Sequence, residues 1–362
     1  MLVYAAVMIA CLLLLTVAHF GSRRQRKRIV LFGVFALTCF AALRGYVGTD
    51  TGAYHSMFSD FSNESLADVL GVVEPIFALL MKATATFSDD SFVFVVLIAV
   101  IQGLLLARVA TTSNNPLDFL AIYITIFYLN FHFNIVRAGT AMLFLILAMR
   151  VPKEDENQTK FYALGVAAIL AHYSAVIGFL PLLLLRQRAA NAKSLAIGLL
   201  VLVMGSVYYF TTANEFLLAK YLAYIDILAP DVTNSVSLSF ILGIPLYLLL
   251  YVSVVNKSNR VGLTLLFIVW LFARWLTSVF TLFGRVEIII NALLLFSIIE
   301  LALVGWRHQL RKVAVTGLTV MWLFGSLLGL QEESAIMDGL GISDSLYRMS
   351  PFIPYKFIWD DK

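Results

Sequence analysis

Apolar runs long enough to cross a bilayer recur along this chain, and that feature limits its fold more than any other. Residues 2–20 form an unbroken apolar stretch, and about 20 helical residues cover a hydrocarbon core of about 30 Å. Further runs lie at 29–43, 72–87, 92–110, 119–133, 135–149, 161–185, 194–213, 236–255, 261–283, 286–305 and 313–330. With 61% of residues hydrophobic and 13% charged, the chain lacks the polar side chains that an aqueous surface needs; soluble proteins carry about 25% charged residues. The pattern predicts an all-α polytopic integral membrane protein of about 10–12 transmembrane helices, a single transmembrane domain over residues 1–362. A soluble enzyme, a nucleic-acid module and a disordered scaffold are excluded, so the net charge of +4 calls for a membrane explanation.

Charge placement supplies that explanation. The loops 22–28, 186–193, 256–260 and 306–312 hold thirteen of the 26 Lys and Arg and no acid, which marks them as cytoplasmic by the positive-inside rule. The basic cluster directly after residues 2–20 marks that run as a retained first span rather than a cleaved signal peptide. In contrast, 44–70 carries one Arg against Asp50, Asp60, Glu64 and Asp68, and 331–362 carries six acids against three bases. Both are expected to be extracytoplasmic, the first with a short interfacial helix and the second as a C-terminal tail. Residues 161–185 read either as one tilted helix or as a re-entrant pair turning near His172, and a break is expected at Leu129–Asn134; broken helices survive at membrane depth only where protein or a water-filled cavity surrounds them. Cys11 and Cys39 lie inside apolar spans, so neither a disulfide framework nor a thiolate metal site is expected.

Ionisable residues inside a membrane are costly and mark pathways, binding sites or ion pairs. Arg44 opens RGYVGTDTGAY, where Thr49 or Asp50 suits a helix cap and Asp50 and Tyr54, four apart, share a face. Glu74 precedes Pro75 at a helix start, where a carboxylate either pairs with an Arg or accepts a proton. Arg137 follows the polar patch Asn130, His132 and Asn134, and its planar fork of donors fits two phosphate oxygens. His172 could donate to phosphate or exchange a proton. Arg274 and Arg285, eleven apart, would share one face of a continuous helix and suggest an anionic ligand; the alternative is ion pairing, with Glu287 or Glu300 as the acid for Arg285 and another buried acid for Arg274. Tyr355 sits in the acidic tail, which could fold back over a cavity. No nucleotide, dinucleotide, zinc-protease or esterase motif is present. An outward-facing set rich in Arg suits a diphosphate.

The segments LRGYVGTDTGAY, EPIFALLMK, FNIVRAGTAM, AHYSAVIGF, GRVEIII and the late PYK resemble, in order, the EpsG-like family of Wzy-type polysaccharide polymerases. The R-x-x-x-G-T-D-T-x-x-Y and Asn-x-x-Arg segments are its specific parts; Ala138 stands where the family usually has Gln. The resemblance implies a metal-independent, cofactor-free membrane glycosyltransferase of the bacterial inner membrane, its active site facing the periplasm or exterior. Such an enzyme joins undecaprenyl-diphosphate-linked repeat units into O-antigen, capsule or exopolysaccharide, in company with a chain-length regulator. Asp50, Glu74 and His172 are then the catalytic candidates, with Asp50 ahead of Glu74 as base. Arg44, Thr49, Tyr54, Arg137, Arg274, Arg285 and Tyr355 would bind diphosphate or substrate. A lipid-linked oligosaccharide flippase, and an O-antigen ligase or polyprenyl-phosphate-sugar transferase, are the alternatives.

Overall fold

The computed structural model describes residues 2–45, 47–48, 50–152, 157–186, 238–254, 260–279, 284–300 and 306–339. Among these the secondary structure is helical, with no strand. The helices are α1 (Leu2–His19), α2 (Arg23–Ala42), α3 (Thr51–Phe61), α4 (Leu66–Val72), α5 (Pro75–Ala85), α6 (Ser91–Thr112) and α7 (Pro116–Ile122). They continue with α8 (Val136–Met149), α9 (Gln158–Ala171), α10 (Ala175–Arg186), α11 (Leu238–Val254), α12 (Arg260–Val279), α13 (Gly284–Ile299) and α14 (Trp306–Gly339). Apolar residues lie on both sides of this bundle. Tyr4, Leu37, Phe94, Phe127 and Leu293 are buried, while Leu13, Val17, Phe35, Leu104, Ile268 and Phe324 are exposed, the pattern of helices whose outer faces meet hydrocarbon.

Among the described residues, α6 is the one helix both long and apolar enough to cross a membrane alone, with 22 residues and a mean hydropathy of 2.6 over its most apolar 18. The apolar run 72–87 is not such a helix. Only its first residue, Val72, belongs to α4, and the 11-residue α5 takes up 75–85; α5 spans about 16 Å, half of a hydrocarbon core. Lys82 ties α5 sideways, donating to the carbonyls of Ser62, at 2.6 Å, and of Glu64. The run 194–213 lies outside the described residues, and α14 continues through the start of the acidic segment to Gly339.

The expected break before Arg137 takes the form of two π-helical turns, Tyr123–Phe127 and Asn130–Asn134, ending at Ile135 with φ −110° and ψ 56°. A wide i→i+5 ladder and an abrupt end leave carbonyls without helical partners, and side chains from other elements take them up. Gln102 Nε2 lies 3.0 Å from Phe131 O, 2.8 Å from Val136 O and 3.1 Å from Thr140 Oγ1. Arg44 donates to His132 O, and Tyr123 Oη lies 3.0 Å from His132 Nε2. Two glycines allow the close approach this needs. Gly48 has φ +98°, and a Cβ there would lie 2.5 Å from Phe133 O; one on Gly139 would lie 2.6 Å from Phe131 O.

Residues 158–186 are a helical hairpin. The rings of Phe161 and Phe179 are 5.1 Å apart, whereas a straight helix would separate them by about 27 Å. The turn is at His172, whose extended backbone (φ −161°, ψ 120°) ends α9. Similar arithmetic corrects the expectation of a continuous helix through Arg274 and Arg285. Arg274 Nη1 meets Glu287 Oε2 at 3.1 Å, although thirteen helical residues span about 20 Å. Helix α13 therefore packs alongside α12 and does not extend it.

Candidate functional site

Three separate elements converge on the carboxylate of Glu74. Pro75 at the first position of α5 fixes the helix start, and Glu74, just before it, makes no side-chain cap to its own helix. Its two oxygens reach across the fold instead. Oε2 accepts from Arg137 Nη1 at 2.5 Å, and Oε1 lies 2.7 Å from His172 Nδ1. Arg137 comes from the first turn of α8, immediately after the break at Ile135, and His172 from the tip of the α9–α10 hairpin. Glu74 is thus the common partner of two residues delivered by two helix breaks.

The Glu74 side chain is 7% exposed and that of Arg137 23%. An ion pair so sheltered is geometrically demanding, and losing one partner leaves a charge whose desolvation is no longer offset, at a cost of roughly 3–5 kcal/mol. The contact with Glu74 also orients the imidazole. An ionised carboxylate only accepts, so Nδ1 carries the proton on the Glu74 side and Nε2 is left for other partners. Tyr54 completes the frame: the backbone N–H of Arg137 donates to its hydroxyl at 3.4 Å, and the guanidinium stands 5.9 Å from its ring centroid.

Asp50, Tyr54, Ile135, Arg137, Ala138 and His172 line one narrow cleft of about 10 Å³, about the room of one water. Asp50 stands at the N-cap position of α3 without a side-chain capping bond. Five of the residues singled out from sequence, Asp50, Tyr54, Glu74, Arg137 and His172, therefore meet at one centre, with Glu74 behind the cleft and the other four on its wall.

The remaining candidates do not meet there. Arg44 is 2% exposed and turned inward, donating to His132 O and lying 5.1 Å from the Phe133 ring centroid. Arg274 is engaged with Glu287 where α13 packs against α12. Glu300, one acid considered for Arg285, is paired with Arg150 and accepts from Ser113 Oγ at 2.6 Å. Thr49, the side chain of Arg285 and Tyr355 lie outside the described residues. Sequence reasoning passed over Gln102, Tyr123 and Tyr128, which hold the π-helical segment in place; Tyr128 Oη donates to Leu37 O at 2.6 Å. The signal available was Gln102, a lone amide in an otherwise apolar run.

Among the described residues no group of three or more His, Cys, Asp or Glu is placed to hold a metal ion. Residues 27–357 match the EpsG family. The chain belongs to that family, whose members are membrane proteins, and membership supports a general role in making polysaccharide by polymerisation. No curated protein and no solved structure matches the chain.

Proposed function

We propose that this protein is a glycosyltransferase that extends polysaccharide by joining polyprenyl-diphosphate-linked oligosaccharide repeat units. The observation that carries this reading is the convergence of Arg137 and His172 on Glu74 beside Asp50, in one cleft of a membrane-embedded helical fold. A hydroxyl of the incoming unit attacks the anomeric carbon of the growing chain, the bond from that carbon to the diphosphate oxygen breaks, and polyprenyl diphosphate leaves. Negative charge builds on the departing oxygen. Donors fixed in advance within a low-dielectric site stabilise such charge, each contributing about 10²–10³-fold.

The geometry supports a division of roles. Arg137 uses one terminal nitrogen on Glu74, and a guanidinium has five N–H donors, so it can serve Glu74 and a phosphate oxygen together. A cleft the size of one water suits a single inserted oxygen rather than a whole diphosphate. His172, held through Nδ1, offers Nε2 as a second donor to the leaving group when protonated. Glu74 has both oxygens engaged and acts as a positioning residue. Asp50 then accepts the proton of the attacking hydroxyl, a contribution of about 10²–10⁴-fold. Arg44 supports the break that delivers Arg137. This reading places the cleft at the extracytoplasmic end, in line with the acidic 44–70 segment.

Purified protein incubated with lipid-diphosphate repeat units should yield ladders of extended product. Absence of any product beyond one repeat would overturn the proposal. Arg137→Lys keeps the charge but loses the fork, and extension should fall about 10²-fold; full retention would remove Arg137 from the diphosphate.

A further inference from the structure

A second cavity, far wider than the Glu74 cleft, lies at the opposite end of the bundle. Its volume is about 700 Å³, and it opens between the end of α1, the start of α2, the segment after α6 and the start of α14. The cationic side chains lining it are Arg23, Arg26, Lys27 and Lys312, joined by His19 and His308. One carboxylate, Asp118, shares the lining, and it lies 3.7 Å from Arg311. Among the described residues no acid pairs with Arg23, Arg26, Lys27 or Lys312. Burial, and after it the charges of Lys312 and Arg311, hold the His308 imidazole below its ordinary pKa. Ser22 caps α2 through a reciprocal pair of bonds with Gln25, so the positive end of that helix dipole faces the same space.

A polar cavity with surplus positive charge attracts phosphate, and the rim indicates which kind. Phe20 follows His19 and is 86% exposed; Val313 follows Lys312 and is 62% exposed. A soluble anion has no use for such neighbours, whereas a phospholipid places its phosphate in the cavity and its acyl chains against them. Basic pockets between helices on the cytoplasmic side are where anionic headgroups bind. All four basic side chains belong to the acid-free loops that mark the cytoplasmic side. We propose that this cavity is a binding site for the phosphate headgroup of an anionic phospholipid of the cytoplasmic leaflet.

Thermal unfolding of the full chain in detergent tests this, with separate titrations of dioleoylphosphatidylglycerol, dioleoylphosphatidylcholine and inorganic phosphate. The glycerol lipid should raise Tm saturably, while the choline lipid and free phosphate should do little. Lys27→Gln with Lys312→Gln should weaken the response roughly 30-fold, about 5-fold for each cation. Arg24→Gln with Arg28→Gln removes the same charge from the same basic end but outside the cavity lining, and should change it far less. Equal responses to the two lipids would overturn the site. So would equal losses in the two double variants, which would signify diffuse surface attraction, or equal protection by free phosphate. If the first double variant does not fold, Lys312→Gln alone should show the single 5-fold step, and no step there would equally overturn the assignment.

Discussion

The two ends of α2 handle charge in opposite ways. Near Arg23 the cations crowd a wide cavity with little opposing charge; beyond Ala42 every ionisable side chain described around the cleft is held by, or stands beside, a partner from another element. About 30 Å separates these ends, the length of a twenty-residue helix and the thickness of a hydrocarbon core. A wide basic cavity attracts anions without fixing their orientation. A cleft of one water's volume, whose Arg and His share one carboxylate, fixes donors to within a hydrogen bond before any ligand arrives, and that is what charge stabilisation in a reaction requires. On the proposed reading, attraction belongs to one end and chemistry to the other.

The sharpest way to break this contrast is at Glu74. Glu74→Gln keeps the shape but removes the charge that holds both partners, and chain extension should drop by at least the roughly 10²–10³-fold expected for loss of one preorganised donor, with a lower Tm. Next comes Asp50→Asn, for which a fall of about 10²–10⁴-fold in extension rate is expected with Tm nearly unchanged; a small rate effect would move the base elsewhere. Arg44→Gln should act on stability more than on chemistry, lowering it by about 1–3 kcal/mol as the π-helical carbonyl of His132 loses a charged donor. Extension measured well below Tm should then stay close to the parent rate. The smallest effect is expected at the basic end, where Lys27→Gln with Lys312→Gln should leave extension in zwitterionic lipid unaltered.

Local signals made part of this legible from sequence. Glu-Pro marked the start of α5, the spacing of Asp50 and Tyr54 put them on one face, and the polar interruption at His172 marked a turn, because each is set within a few residues. The apolar run 72–87 misled, since hydropathy alone does not show that α5 stops after 11 residues. The π-helical turns before Arg137 were also hidden. Their wide ladder is stabilised by Gln102 and Arg44 reaching in from other segments, and nothing in the local pattern of Asn, His and Phe encodes those partners. The pairing of Glu74 with residues 63 and 98 positions away is likewise a product of topology. Arg274 shows the converse: its spacing from Arg285 suggested a shared face, and the packing of α13 against α12 gave it Glu287 instead.

The central claim is that Glu74 acts through Arg137, and a double-mutant cycle tests it most directly. Extension rates on a lipid-diphosphate repeat unit would be measured for Glu74→Gln, Arg137→Lys and the two combined. Residues that act as a unit are strongly non-additive, so the combined variant should be about as slow as the slower single one. Fully multiplicative losses would show two independent contributions and contradict the account.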